Sequence, residues 1–245
     1  MYPQTHVYFA ETVLGKQGDI VTLGSILPDM LIGKDFNHNE AHSKGVEIYN
    51  FAGKDSLILD FGKAVSTHGF NPKGLDYYGD EKYLDYERGY CFEKARPFIA
   101  RTVEACNIPV EMGWWKAHNI IEMGVETIIS STDYYSERIK TALYNRCLIN
   151  KVDEILRELW KKSSLNFARR VERFAGFVEI ERATAESLAK KYYIQMQFRH
   201  HVEIDVKMVT KLINDAAESV ILDLNDFFNI TSGLVKNNIE ALLNE

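Results

Sequence analysis

The sequence is short of the residues that interrupt helices, and the shortage is concentrated in its second half. All five prolines lie before residue 110, and twelve of the fifteen glycines lie at or before Gly113. Proline and glycine are the strongest breakers of regular structure. The second half therefore favours long, nearly uninterrupted helices, whereas the first half favours shorter helices joined by loops.

Cysteine motifs, targeting signals and long apolar runs are also missing. The three cysteines (Cys91, Cys106 and Cys147) are widely spaced and form no Cys-x-x-Cys pair. This favours free thiols in a reducing compartment over disulfides or a thiolate zinc site. The first residues lack the basic and apolar regions of a signal peptide, and no apolar run of about 18 residues occurs. We expect a cytoplasmic chain without a transmembrane segment.

Basic charge is in deficit as well. Lys and Arg number 29 against 35 Asp and Glu, which gives a net charge of −6. Because proteins bind duplex nucleic acid largely through an excess of Lys and Arg, we expect no such partner. The composition, 46% hydrophobic and 26% charged, is that of a globular protein and excludes a disordered chain.

Hydrophobic periodicity predicts an all-α fold. Apolar residues recur at helical spacing, for example at Val152, Ile155, Leu156 and Leu159, whereas strict two-residue alternation is hard to find. A short hairpin near residues 69–79 is the one β alternative. Helices are predicted near residues 6–14, 18–27, 40–52, 55–67, 86–106, 112–131, 133–161, 164–176, 181–198, 203–228 and 232–243. We expect one all-helical domain over 1–245, with a metal-site half (1–131) and a helical C-terminal extension (132–245).

Local signals add detail to this prediction. Thr5 and Ser163 are candidate helix N-caps, and Gly15 stands where a C-cap is expected. The segment 69–83 combines glycine, proline and acids with four aromatic residues. Long irregular segments are usually either functional or disordered, and the aromatic residues argue against disorder.

Five of the seven histidines fall in the first half of the chain: His6, His38, His42, His68 and His118. His118 and Glu122 are four residues apart, so on a helix both side chains reach one ion, although a chance surface pair has the same spacing. His38 and His42 have that spacing too, and they fit a shared metal or an exposed helix face equally well. Asp29 follows Pro28 and fits either a ligand or a simple turn residue.

Taken together, these residues resemble the zinc-dependent phospholipase C family, which is related to the single-strand-specific zinc nucleases. The resemblance covers about the first 130 residues. Its most specific parts are the Thr5-His6 opening and the phrase Gly24-Ser25-Ile26-Leu27-Pro28-Asp29, followed by His42, His68 and the His118–Glu122 pair. It implies a multi-helix bundle that hydrolyses phosphate esters with a metal-activated water. It also implies six metal ligands: His6, Asp29, His42, His68, His118 and Glu122.

The sequence departs from the family pattern after His68. The family places a bridging aspartate four residues after this histidine, whereas Pro72 stands there in this chain, and no further histidine precedes His118. We therefore expect one or two zinc ions, or manganese or iron in their place, rather than three. Asp76 and Asp80, in the segment 69–83, are candidate substitute ligands. Together with Asp29 they are also the candidates for the catalytic base.

The leading hypothesis is thus a phospholipase C-like, metal-dependent phosphodiesterase acting on a small phosphate ester or a phospholipid head group. The main alternative is a non-catalytic helical binding or scaffold protein that keeps a partial metal site. A helical phosphohydrolase of the His-Asp class is disfavoured because the sequence has no His-Asp dipeptide. A homo-oligomer is compatible with the long C-terminal helices.

A few other residues are candidates for roles at or near the site. Lys73 and Lys82 are candidates for binding the substrate phosphate. Of Trp114 and Trp115, one is expected in the core, and the other either lines a pocket or is exposed. The pair His200-His201 is interpreted as a surface or inter-helix feature.

Overall fold

The computed structural model describes residues 1–53, 55–162 and 165–242, and these residues form an all-helical fold. None of them lies in a β-strand, so the hairpin considered near residues 69–79 does not form. The prediction of an all-α fold is confirmed over this part of the chain. The candidate cap Ser163 lies outside the described residues.

The α-helices of the first half are mostly short. They are α1 (Pro3–Leu14), α2 (Asp19–Leu31), α3 (His38–Ala41), α4 (Gly45–Phe51), α5 (Ser56–Ser66), α6 (Tyr90–Ala95), α7 (Ile99–Cys106) and α8 (Gly113–Ile129). A π-helical turn covers Tyr77–Glu81, and short 3₁₀ turns cover Arg96–Phe98 and Val110–Met112.

The helices of the second half are longer. They are α9 (Tyr134–Tyr144), α10 (Arg146–Trp160), α11 (Phe167–Phe177), α12 (Ala185–His200), α13 (Val206–Val220) and α14 (Leu224–Leu242). No helix in the described part of the chain combines the length and the apolarity needed to cross a membrane.

Several predicted helices are divided in the structure. Those predicted at 40–52 and 86–106 are each interrupted, the second by the 3₁₀ turn that contains Pro97. The helix predicted at 133–161 breaks at Asn145, whose side chain accepts from the Leu148 N–H and caps α10. The predicted boundary before residue 232 is wrong, because α14 continues through Gly233.

Two hydrophobic cores hold the helices together, and each mixes residues of both halves of the chain. One core packs α12, α13 and α14 against α8. The other packs α9, α10 and α11 against α2 and α5. Helix α1 lies between them, with Phe9 and Val13 in the first core and Val7 and Ala10 in the second. A helix buried on opposite faces is held firmly, and α1 carries His6.

Candidate metal centre

Three helix ends bring Asp29, His42 and His68 to one place. Asp29 lies in the last turn of α2, His42 directly follows α3, and His68 follows α5. His42 Nδ1 is 2.9 Å from the His38 carbonyl oxygen, and His68 Nδ1 is 2.6 Å from the Ser25 carbonyl oxygen. When Nδ1–H donates to a carbonyl, Nε2 keeps a free lone pair, which is the usual arrangement behind a metal-binding imidazole.

A tight turn after His68 places Asp76 against these imidazoles. The Asp76 N–H donates to the His68 carbonyl at 2.8 Å, and the Gly74 N–H donates to the Gly69 carbonyl at 2.8 Å. A Cβ atom at Gly74 would lie only 2.6 Å from the Thr67 carbonyl oxygen, so the turn closes only with glycine there. Asp76 therefore places a carboxylate near His68, whereas Pro72 has no side-chain ligand atom.

The Asp76 carboxylate directs its two oxygens at different imidazoles. Oδ2 is 3.1 Å from His68 Nε2 and 3.3 Å from His42 Nε2, and Oδ1 is 3.3 Å from His6 Nε2. Asp29 Oδ1 lies 3.6 Å from His42 Nε2. We name His6, Asp29, His42, His68 and Asp76 the first ligand group. Within it, the ligand atoms of His6, His68 and Asp76 lie within 4.8 Å of one another, as do those of Asp29, His42 and His68.

A second ligand group consists of Asp80, His118 and Glu122, whose ligand atoms also lie within 4.8 Å of one another. Helix α8 presents His118 and Glu122 on one face, and Asp80 comes from the π-helical turn. The His118 ring stacks on Phe92 with 4.2 Å between centroids. Asn119 Nδ2 is 3.1 Å from His118 Nε2 and 3.4 Å from Glu122 Oε2.

The amino group of Met1 connects the two ligand groups. It is buried and donates to Asp76 Oδ1 and to Glu122 Oε1, at 2.8 Å in each case. Because both oxygens contact one nitrogen, they cannot be further apart than twice that distance. Residue types and helical spacing do not predict a role for Met1, because its contact with Glu122 spans 121 residues.

Glu126, one helical turn beyond Glu122, fixes the start of α1. Its carboxylate accepts from the Gln4 N–H and the Thr5 N–H at 2.9 Å each, and from the Thr5 hydroxyl at 2.7 Å. The prediction of Thr5 as an N-cap is therefore wrong, since α1 begins at Pro3 and Thr5 lies in its first turn. Glu126 takes the place of the cap and holds the segment that carries His6.

The pKa values of the three aspartates of the site are shifted in different directions. Burial opposes ionisation of Asp76, but the Met1 ammonium and the nearby imidazoles hold the pKa of its carboxyl well below its usual value. His68 and His42 likewise lower the pKa of Asp29 against the effect of burial. Burial and the neighbouring Glu122 raise the pKa of Asp80 well above its usual value. Asp76 and Asp29 are thus anionic near neutral pH.

The donor atoms of the site fit a divalent metal ion. His6 Nε2, His68 Nε2 and His118 Nδ1 are buried and form no hydrogen bond, and Asp80 Oδ1 has none either. Burial lowers the pKa of both His6 and His118 to about 4, so each imidazole is neutral near pH 7. Neutral imidazoles beside carboxylates are the ligands that zinc, manganese and iron prefer.

The structure thus brings the sequence-predicted residues into two adjacent groups. The first ligand group holds His6, Asp29, His42 and His68 with Asp76, and the second holds His118 and Glu122 with Asp80.

Three other sequence candidates have different surroundings. The exposed ring of His38 stacks on His42 with 4.1 Å between centroids. Lys73 Nζ lies 4.6 Å from the centre of the Tyr77 ring, and Lys82 donates to the Tyr86 carbonyl.

The buried neutral state of His118 predicts a pH-dependent stability for the metal-free chain. The folded-state pKa is about 4, against about 6.5 in the unfolded chain. Between these values the unfolded state binds more protons, so stability falls as the pH falls through this window. His118→Phe removes this proton uptake. Urea unfolding with a chelator present should show the variant losing about 2 kcal/mol less than the parent between about pH 7 and pH 5.

The matched control is His201→Asn, which removes an exposed imidazole. This variant leaves His118 in place, so the loss of stability assigned to His118 should remain. An equal loss in His118→Phe and the parent would show that His118 does not become buried in a neutral state on folding.

Comparison with protein-family models, with curated proteins and with solved structures finds no match to this chain.

Proposed function

We propose that this chain is a metal-dependent phosphoric ester hydrolase, with zinc as the expected metal and manganese or iron as the alternatives. The observation that carries the proposal is the position of Asp76, whose Oδ1 faces His6 while its Oδ2 faces His42 and His68. A carboxylate that directs each oxygen at a different set of ligands suits a site with two neighbouring ions, which is the type of site that many phosphoesterases use.

Both ligand groups contain donor atoms that could bind a metal ion. The first ligand group offers three imidazoles and two carboxylates, and the second offers one imidazole and two carboxylates. Bound divalent ions would supply Lewis acidity, which polarises a phosphoryl oxygen and makes water more acidic. The carbonyl contacts at the Nδ1 atoms of His42 and His68 keep both rings oriented for this purpose.

Asp29 is the residue best placed to act as a general base. Its side chain is 28% exposed, whereas the Asp76 side chain is 6% exposed and has both oxygens engaged. An anionic carboxylate at the open side of the site accepts a proton from an incoming water at its free oxygen. Next to it, the rings of His38 and Phe70 pack on His42 at 4.1 and 5.5 Å between centroids. These rings offer a surface for the organic part of a small ester or a phospholipid head group.

The proposal is tested by assaying the metal-loaded chain on chromogenic phosphodiesters and phosphomonoesters and on phospholipids. We expect hydrolysis that a chelator abolishes. His118→Ala and Glu122→Ala should each reduce it sharply, because both remove a ligand atom of the second ligand group. The control Glu218→Ala changes an exposed carboxylate on α13 and should leave the rate unchanged.

Two outcomes count against the proposal. Hydrolysis that persists in both ligand variants means that the reaction takes place elsewhere. A chain that binds metal and leaves every ester intact favours the alternative of a non-catalytic helical binding protein with a metal site.

A further inference from the structure

Lys116 is a buried cation outside both ligand groups. It lies on α8 two residues before His118, and since successive residues of a helix are about 100° apart, the two side chains leave the helix on opposite sides. Lys116 is only 5% exposed. A buried ammonium is costly unless a negative charge or a set of hydrogen bonds compensates it.

The contacts of Lys116 supply no negative charge. Its Nζ is 2.8 Å from Nε2 of His200 and 3.7 Å from the centre of the Trp115 ring. Arg199, the residue before His200, adds a further basic group nearby. Among the described residues, no carboxylate forms an ion pair with Lys116, Arg199 or His200.

The two basic residues near Lys116, Arg199 and His200, both lie in the last turn of α12. Burial, Lys116 and Arg199 all lower the pKa of His200, so its neighbours repel a proton. Basic residues in the last turn of a helix interact favourably with the helix dipole, which accounts for Arg199 and His200. It does not account for Lys116, which belongs to α8 and is buried.

We propose that Lys116, Arg199 and His200 form a binding site for a phosphate group, on the side of α8 opposite to the ligand groups. Lys116 forms the floor, Arg199 is exposed at the entrance, and the 48% exposed Trp115 ring forms a side wall. A phosphate has enough acceptor oxygens for an ammonium, a guanidinium and an imidazole together, whereas a carboxylate has two. The site goes beyond the proposed hydrolase activity and does not depend on it.

The test is a titration of the chain with inorganic phosphate, followed by NMR at the Trp115 indole N–H and the His200 imidazole. We expect saturable shifts at both, while the Trp114 and Trp160 indoles serve as internal references. Lys116→Met, which keeps the length of the side chain without its charge, should weaken binding about tenfold or more. Arg199→Gln should weaken it too, and because Arg199 is exposed this second variant remains informative if the first fails to fold.

The control Lys190→Met removes an exposed lysine of α12 that pairs with Glu186, and it should bind phosphate like the parent. A titration with a chelator present separates this site from the metal centre, and it should show the full phosphate response. Shifts that do not saturate, shifts that persist unchanged in Lys116→Met, and shifts that disappear when the chelator is added each overturn the proposal. Acetate that binds as tightly as phosphate overturns the assignment to phosphate.

Two further ligands distinguish the sources of the phosphate group. Glycerol 3-phosphate presents it on a small molecule, and phosphatidylcholine vesicles with phosphatidic acid present it on a membrane surface. Both responses should depend on Lys116. A response to pure phosphatidylcholine vesicles without any response to soluble phosphate would instead assign this surface to its exposed aromatic residues.

Discussion

The Asp76→Asn variant should bind less metal than the parent chain and hydrolyse phosphate esters at least about a hundredfold more slowly. Asp76 lies within 3.3 Å of three imidazole nitrogens and contacts the amino group of Met1. Asparagine keeps the shape of the side chain but replaces one anionic oxygen by an N–H₂ group, which cannot bind a cation. The measurements are metal content after dialysis and the rate of ester hydrolysis.

Asp85→Asn is the matched control for this variant. Asp85 lies in the same part of the chain as Asp76 and is exposed, so the same chemical change there should alter neither the metal content nor the rate. If Asp76→Asn keeps the metal content and the rate of the parent, Asp76 is not a shared ligand and the first ligand group must be assigned differently.

The order of candidate ligands along the sequence anticipated much of the site. His6 and Asp29 lie on α1 and α2, His42 and His68 follow α3 and α5, and their ligand atoms meet in the first ligand group. The His118–Glu122 pair was readable from helical spacing alone, because residues four apart share a face. These are the features that a one-dimensional pattern can carry: residue types, their order and their periodicity.

The role of Asp76 was not readable in the same way. Eight residues separate it from His68, and a regular helix or strand of that length would hold the two side chains about 12 Å or more apart, too far to contact one ion. The separation is spanned by a turn whose backbone hydrogen bonds join residues 67–76, and which depends on close packing at Gly74. From the sequence, Asp76 and Asp80 were equivalent candidates for the missing ligand. In the structure Asp76 lies in the first ligand group and Asp80 in the second.

The boundary between α9 and α10 was missed because neither a glycine nor a proline marks it. Asn145 separates the two helices, and its amide also donates to Asp19 Oδ2 at 2.8 Å. This contact spans 126 residues, so the neighbouring sequence shows only the local cap and not the tertiary partner. Tertiary contacts outweigh local propensity at such positions.

The C-terminal half, which carries none of the predicted ligands, supports the ligands of the first half. Arg170 on α11 donates to the Leu31 carbonyl at 2.9 Å and pairs with Asp35. The carbonyls at the end of a helix lack partners within the helix, so Arg170 completes the hydrogen bonding at the end of α2. Asp29 lies in that last turn, and its position therefore depends on a helix far along the chain.

Replacing Glu126 by alanine should destabilise the chain by about 3 kcal/mol or more, because three buried donors lose their acceptor together. The Gln4 N–H, the Thr5 N–H and the Thr5 hydroxyl all donate to its carboxylate, which is fully buried. The same change frees the first turn of α1, so the affinity for metal at His6, His68 and Asp76 should fall as well. Urea unfolding of the metal-free chain measures the first effect, and a metal titration of the folded variant measures the second.

Glu126→Gln and Glu218→Ala are the controls for the loss of stability expected in Glu126→Ala. Glutamine keeps one acceptor oxygen and turns the other position into a donor, so its loss of stability should lie between those of the parent and Glu126→Ala. Glu218 is an exposed glutamate within α13, and its removal should change stability by no more than about 0.5 kcal/mol. If Glu126→Ala unfolds at the same urea concentration as Glu218→Ala, the carboxylate does not cap α1 and His6 is positioned by its core contacts alone.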